Sequence, residues 1–125
     1  MKFTYGKQDK LKSKKAIEQL FIEGVSVSSY PLRMVFLKKE HQGEFPIQLG
    51  ISIPKKRIPK AVGRNRVKRV LREVYRFHKF EFSEGMDDKY IAMLLYLDGK
   101  EWTQEKLAVK MKKLAEKFHE KIAES

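Results

Sequence analysis

A chain of 125 residues, 42% of them hydrophobic and none a cysteine, can bury a core of its own as one domain and has neither thiol chemistry, cysteine-type zinc sites nor a disulfide framework. Its formal net charge of +12, without an apolar run near the roughly 18 residues a bilayer span needs, points to a cytoplasmic protein that meets a polyanion and not a membrane. The charge is concentrated: residues 55–76 carry +9, against +5 for 1–15, −1 for 16–54, −3 for 77–99 and +2 for 100–125.

Taken in chain order, the lysine-rich residues 1–10 read as a flexible basic arm of a single domain spanning 1–125. Ser13 is placed to cap a helix with Ile17, Leu20 and Phe21 at i, i+3, i+4 spacing, and Gly24 stops it. Leu32 to Leu37 mixes β-formers in strand-like fashion, and His41-Gln42-Gly43-Glu44 supplies turn chemistry, so a hairpin to the next strand is expected. In that strand Ile47, Leu49, Ile51 and Ile53 alternate with Gln48, Gly50 and Ser52, giving one buried and one small, polar, accessible face. Pro54 ends it, and Pro59 suits the first turn of a helix running to about Phe77. After the acidic stretch Glu81 to Asp88, Tyr90 to Leu97 is almost continuously apolar, as a strand covered on both faces is. Thr103 is a plausible N-cap for a last helix with Leu107, Met111, Leu114, Phe118 and Ile122 in register, and Trp102 anchors its start. The order α, β, β, α, β, α reads as an α/β (α+β) single-domain sandwich with a mostly antiparallel sheet. If the second and last strands are parallel neighbours, the default crossover between them is right-handed.

On a helical wheel with Val67 as origin, Val70, Leu71, Val74 and Phe77 fall within about 80° of it. Asn65, Lys68, Arg69, Arg72 and Arg76 fall opposite, and Arg64 and Arg66 flank the apolar stripe. One face packs and the other presents cations. Arginine forks can clamp phosphate and stack on bases, Asn65 both donates and accepts, and Gly63 lets a backbone approach the helix start. A merely solvated helix would intersperse acids for i,i+4 pairing, yet residues 55–76 hold ten basic residues and only Glu73.

Leu49-Gly50-Ile51-Ser52-Ile53-Pro54-Lys55-Lys56, followed by Ala61-Val62-Gly63-Arg64-Asn65-Arg66-Val67-Lys68-Arg69-Val70-Leu71-Arg72-Glu73, resembles the signature of the bacterial ribonuclease P protein family, with Lys10-Leu11, Phe21 and Gly24 also in place. The resemblance implies a fold like the second domain of ribosomal protein S5, with a left-handed crossover that overrides the default. It also implies a catalytic RNA that hydrolyses precursor tRNA with bound Mg2+, and a protein that binds no cofactor by itself, contacts that RNA and the 5′ leader, and acts as a monomer in a 1:1 ribonucleoprotein. Arg64, Asn65, Arg66, Lys68, Arg69, Arg72 and Arg76, with Lys55 and Lys56, would meet RNA. Ile17, Phe21, Val35, Ser52 and Lys56 match the leader cleft. The chain departs from the family where Ile17 replaces a common Phe, where Val35 replaces a common aromatic, and where Arg57-Ile58-Pro59-Lys60 lengthens a loop. Phe21 reads equally as core or as leader contact.

Protein-borne hydrolysis would want clustered carboxylates or a His/Lys acid–base pair. Asp87-Asp88 reads as a solvated turn, and His41, His78 and His119 lack metal-ligand spacing. No catalytic or metal-ligating residue is therefore expected. Two other readings remain: a ribosomal RNA- or DNA-binding protein that uses the same helix without a role in tRNA processing, and a membrane-surface amphipathic helix, disfavoured because the apolar stripe is needed for the core.

Overall fold

A computed structural model describes residues 5–124. The elements are α1 (Lys14–Glu23), β1 (Val25–Ser29), β2 (Leu32–Lys38), β3 (Ile47–Ser52), α2 (Ala61–Ser83), β4 (Tyr90–Tyr96) and α3 (Gln104–Ala123), preceded by a 3-10 turn at Lys7–Asp9. Ser13 and Thr103 cap α1 and α3 as their positions suggest, accepting from the amides of Ala16 and Lys106 at 3.2 and 3.3 Å. The Gly24 amide closes α1 on the Leu20 carbonyl at 2.8 Å. A Cβ on Gly24 would meet that same carbonyl at 2.4 Å, so glycine is needed there for the close approach.

The four strands form one mixed sheet in the order β1-β2-β4-β3, with β3 parallel and β2 antiparallel to β4. The hairpin expected between residues 32–37 and 47–53 is absent. β2 turns back instead on β1, a strand not expected from the sequence, through a Tyr30-Pro31 turn with a cis peptide. The 39–46 connection then crosses over β4, which lies between β2 and β3. Its ends are tied by the Lys39 amide on the Lys89 carbonyl (3.0 Å) and the Tyr90 amide on the Pro46 carbonyl (2.8 Å).

The alternation of β3 and the apolar run of β4 divide the sheet into two faces. One carries Met34, Phe36, Leu49, Ile51, Ala92, Leu94 and Tyr96 against α2 and α3, where Leu71, Leu107, Met111, Leu114 and Phe118 are fully buried. The other is covered only in part: α1 seats Leu20 on Val35, Ile91 and Met93, with Leu11 completing this smaller cluster. Beyond α1 that face carries Gln48 and Ser52, both half-buried, and the buried Gly50.

α2 runs six residues beyond the expected end. Its buried positions are Gly63, Val67, Leu71, Val74, Tyr75, Lys79 and Phe82, so the packing stripe is turned toward Tyr75 and Lys79. Phe77, expected in the stripe, is half exposed beneath the Arg76 guanidinium. Lys79 is buried with its ammonium 4.5 Å from the centre of the Phe45 ring and 5.4 Å from that of Phe80. Burial lowers its pKa while the nearby Asp9 raises it.

The loose arm expected over residues 1–10 also needs correction. Residues 1–4 lie outside the described residues, but from Tyr5 onward the chain is docked. Lys10 forms a parallel bridge with Leu49, and Leu11 is buried.

Candidate nucleic-acid interface

Where the sheet face emerges from under α1, a groove of 340 Å3 opens. Its floor is Gly50, Ile51, Ser52 and Met93. Ile17 of α1 and Lys12 stand at one side, Lys68 and Arg72 of α2 at another, and Tyr5 and Lys10 at the end. Gly50 makes the floor possible, since a Cβ there would sit 2.8 Å from Met93 Cε and 3.3 Å from the Leu11 carbonyl oxygen. Of the small face expected to be accessible on this strand, Gln48 and Ser52 are half-buried and Gly50 is buried, and the helix expected to carry cations borders it.

The cationic side of α2 divides by what its side chains already hold. Arg64 donates to the carbonyls of Ile58 and Pro59 at 3.0 and 2.6 Å, fastening the preceding loop. Arg66 donates to both oxygens of Glu101 at 2.9 and 2.8 Å. That pair lifts the guanidinium's pKa and holds the carboxyl below its ordinary value. Arg76 is paired with Glu73 at 2.6 Å. Asn65, Arg69 and Arg72 are exposed and Lys68 partly so, and none of the four has a hydrogen-bond or ion-pair partner among the described residues. Lys55 and Lys56 are exposed in the loop before α2, which is plugged into the core by Ile58.

Of the five residues matched to a leader cleft, the structure brings Ile17 and Ser52 together at the groove. Val35 is only 7% exposed, sealed under α1 by Leu11 and Leu20, and is corrected to a core residue. Phe21 is 51% exposed, which removes the core reading for it, but it lies on α1 away from the groove lining. Lys56 also stands outside that lining. Gly63 approaches no open space: a Cβ would meet the Ile58 side chain at 2.8 Å, so the residue serves the loop.

The remaining polar candidates are structural. The His41 Nε2 lies 3.0 Å from the Pro46 carbonyl while its Nδ1 accepts from the Gly43 amide, and His119 Nε2 lies 2.6 Å from the Glu81 carbonyl. His78 Nδ1 lies 3.3 Å from Glu81. Asp88 pairs with Lys38 at 3.3 Å. Trp102 donates to Asp98 at 2.7 Å and stands edge-on to Tyr30. Among the described residues no group of three or more His, Asp or Glu is arranged to hold a metal ion, and no helix is long and apolar enough to cross a membrane.

An open sheet face beside an arginine- and lysine-bearing helix can hold a single nucleic-acid strand by charge and by packing against its bases. The family described as Ribonuclease P matches residues 5–119, a span that includes every residue of this groove. The chain belongs to that family. The Ribonuclease P protein component of Porphyromonas gingivalis is 38% identical over 90 residues, covering 71% of this chain and 65% of that protein. The match thus spans just under two thirds of the relative's length. The Ribonuclease P protein component of Dictyoglomus thermophilum is 34% identical over 85 residues, covering 68% of each chain. In fold, the chain is similar to the RNase P protein of Staphylococcus aureus, with a TM-score of 0.69 at 21% identity over 88% of this chain and 94% of that one.

Several residues of the groove in this ribonuclease P family chain carried no site signal in the sequence. Met93 reads only as core of an apolar strand. Tyr5 and Lys12 read as part of the lysine-rich start of the chain. Only the pairing of β3 with β4 and the docking of residues 5–12 bring them to the groove.

Proposed function

We propose that this chain is the protein subunit of ribonuclease P, which assists a catalytic RNA in removing the 5′ leader from precursor tRNA. The exposed side of α2 (Asn65, Lys68, Arg69 and Arg72, with Arg64, Arg66 and Arg76 at its margins, and Lys55 and Lys56 before it) binds the catalytic RNA. The groove over Gly50 and Ser52 holds the single-stranded leader. The observation that carries this reading is the groove itself: Ile17, Lys68 and Arg72 border an open sheet floor that includes Gly50 and Ser52.

Hydrolysis is assigned to the RNA. The carboxylates nearest the cationic face, Glu73 and Glu101, are each engaged by an arginine, and no donor set suited to a divalent ion stands in the groove, so the magnesium would be held by the RNA. The protein contributes charge neutralisation and orientation, as one monomer per RNA.

Reconstitution tests the reading. Protein mixed with the catalytic RNA of its own organism should raise cleavage of a leader-bearing precursor tRNA at low magnesium, and protein alone should leave the substrate intact. Cleavage by protein alone, or no rate effect despite tight binding to ribosomal RNA or duplex DNA, would overturn it.

A further inference from the structure

We infer that the segment 5–12 forms a second, prefixed wall of the RNA groove, in which Lys10 and Lys12 neutralise phosphates and Tyr5 is the residue that positions them. The inference rests on reading the groove as a single-strand site, and it adds residues that the cationic face of α2 does not include.

β3 is an edge strand, and its outward carbonyls need partners. The Leu49 carbonyl finds two, both from this segment: the Leu11 amide at 3.0 Å and the Tyr5 hydroxyl. A carbonyl oxygen has two lone pairs, so its capacity is filled. Three further points pin the same stretch. Gln48 donates to the Gln8 carbonyl at 2.9 Å, Asp9 accepts from the Phe45 amide at 3.4 Å, and the Tyr5 ring meets Tyr75 edge-on with centroids 5.6 Å apart.

The consequence is a fixed placement of charge. Lys10 Nζ lies 5.5 Å from the centre of the Tyr5 ring, and neither Lys10 nor Lys12 has an ion-pair partner among the described residues. Both line the groove together with Lys68 and Arg72, Lys12 on the α1 side and Lys10 at the end beside Tyr5. Past Tyr5 the groove continues into a second hollow of 360 Å3 lined by Tyr5, Gly6, Lys10, Arg72, Glu73 and Arg76, where the one acid is taken by Arg76. Four cations around one groove repel one another in the free protein, an arrangement that a strand of phosphates among them relieves. A wall fixed in advance also avoids the ordering cost that a loose lysine arm meets on binding.

The test is a salt titration of binding to a fluorescein-labelled, single-stranded oligouridylate of about eight nucleotides, within the usual site size for such grooves. Each phosphate contact to a single strand contributes about 0.7 to the slope of log affinity against log salt. The Lys10→Gln/Lys12→Gln variant should therefore lower the slope by about 1.4. Tyr5→Ala, which removes no charge, should lower it too, while Tyr5→Phe, which keeps the ring on Tyr75, should retain most of it. Lys68→Gln/Arg72→Gln serves as the reference for the groove. If the reference variant loses slope and the Lys10/Lys12 variant does not, the inference fails and the groove stands. If neither changes, the single-strand reading itself fails. A Tyr5→Ala protein that unfolds cooperatively and binds with an unaltered slope would remove Tyr5 from its positioning role, and should that variant not fold, the lysine pair and Tyr5→Phe still decide.

Discussion

At Arg66 the planar guanidinium fork is matched by the two oxygens of Glu101, 2.9 and 2.8 Å away. A phosphate would present the same two-oxygen geometry, so the carboxylate occupies the side chain in the manner a phosphate would. Both partners are about half exposed, which makes the pair cheap to exchange. Glu101→Gln keeps the shape and removes the competing charge. It should tighten binding of the catalytic RNA by about two- to five-fold at low salt, the scale of an exposed ion pair, with little change in unfolding free energy. Filter binding at two ionic strengths checks this, and an affinity equal to wild type at both would mean that Arg66 does not trade Glu101 for phosphate.

Among the elements, α2 both packs into the core and carries the exposed cations. Leu71 is fully buried beside Val67 and Val74, and Arg72, the next residue, is exposed. Leu71→Ala should cost about 2–5 kcal/mol in urea unfolding, through lost burial and the cavity left behind. Lys68→Gln/Arg72→Gln should leave the urea midpoint nearly unchanged and weaken RNA binding. The separation of these two effects measures how cleanly the helix divides. Its amphipathic character was legible because aliphatic residues recur at helical spacing. The centre of the stripe was not, because Tyr75 and Lys79 carry polar ends that a hydrophobicity pattern assigns to solvent, whereas here one ring and one lysine stem pack inward. β1 escaped for the opposite reason: Val25-Ser26-Val27-Ser28-Ser29 has too few large apolar residues to mark a strand, and it is held by pairing with β2. Which strands pair was beyond the local pattern altogether, since the turn-like His41–Glu44 stretch serves a crossover as well as a hairpin. The motif residues on α2 and the alternation of β3 could be read directly, though not the burial of Gly50. Residues 5–12 could not, because their role depends on one carbonyl at Leu49 and one ring at Tyr75.

For the whole molecule, the buried tyrosines set an alkaline limit. Burial pushes Tyr75 well above its ordinary value and Tyr96 up to about 12, and both are at most 2% exposed. Above about pH 10 the unfolded chain loses protons that these folded tyrosines keep. The folded state then binds more protons, so stability is intact below about pH 10 and falls as pH rises toward the folded values, by about 1.4 kcal/mol per pH unit for each such tyrosine. Urea unfolding between pH 8 and 11 should show this decline. Tyr75→Phe should make it shallower by one tyrosine's share, and the same slope in that variant would contradict the assignment. The sheet order has a different kind of consequence, one of timing. β3 has a strand neighbour only in β4, and β4 lies between it and β2. On a ribosome, α2 emerges with its cations complete before the strand that seats the groove floor has been made. The cations of α2 are thus present on the growing chain before the groove they border exists, because its floor takes Met93 from β4 and closes only after residue 96 has left the exit tunnel.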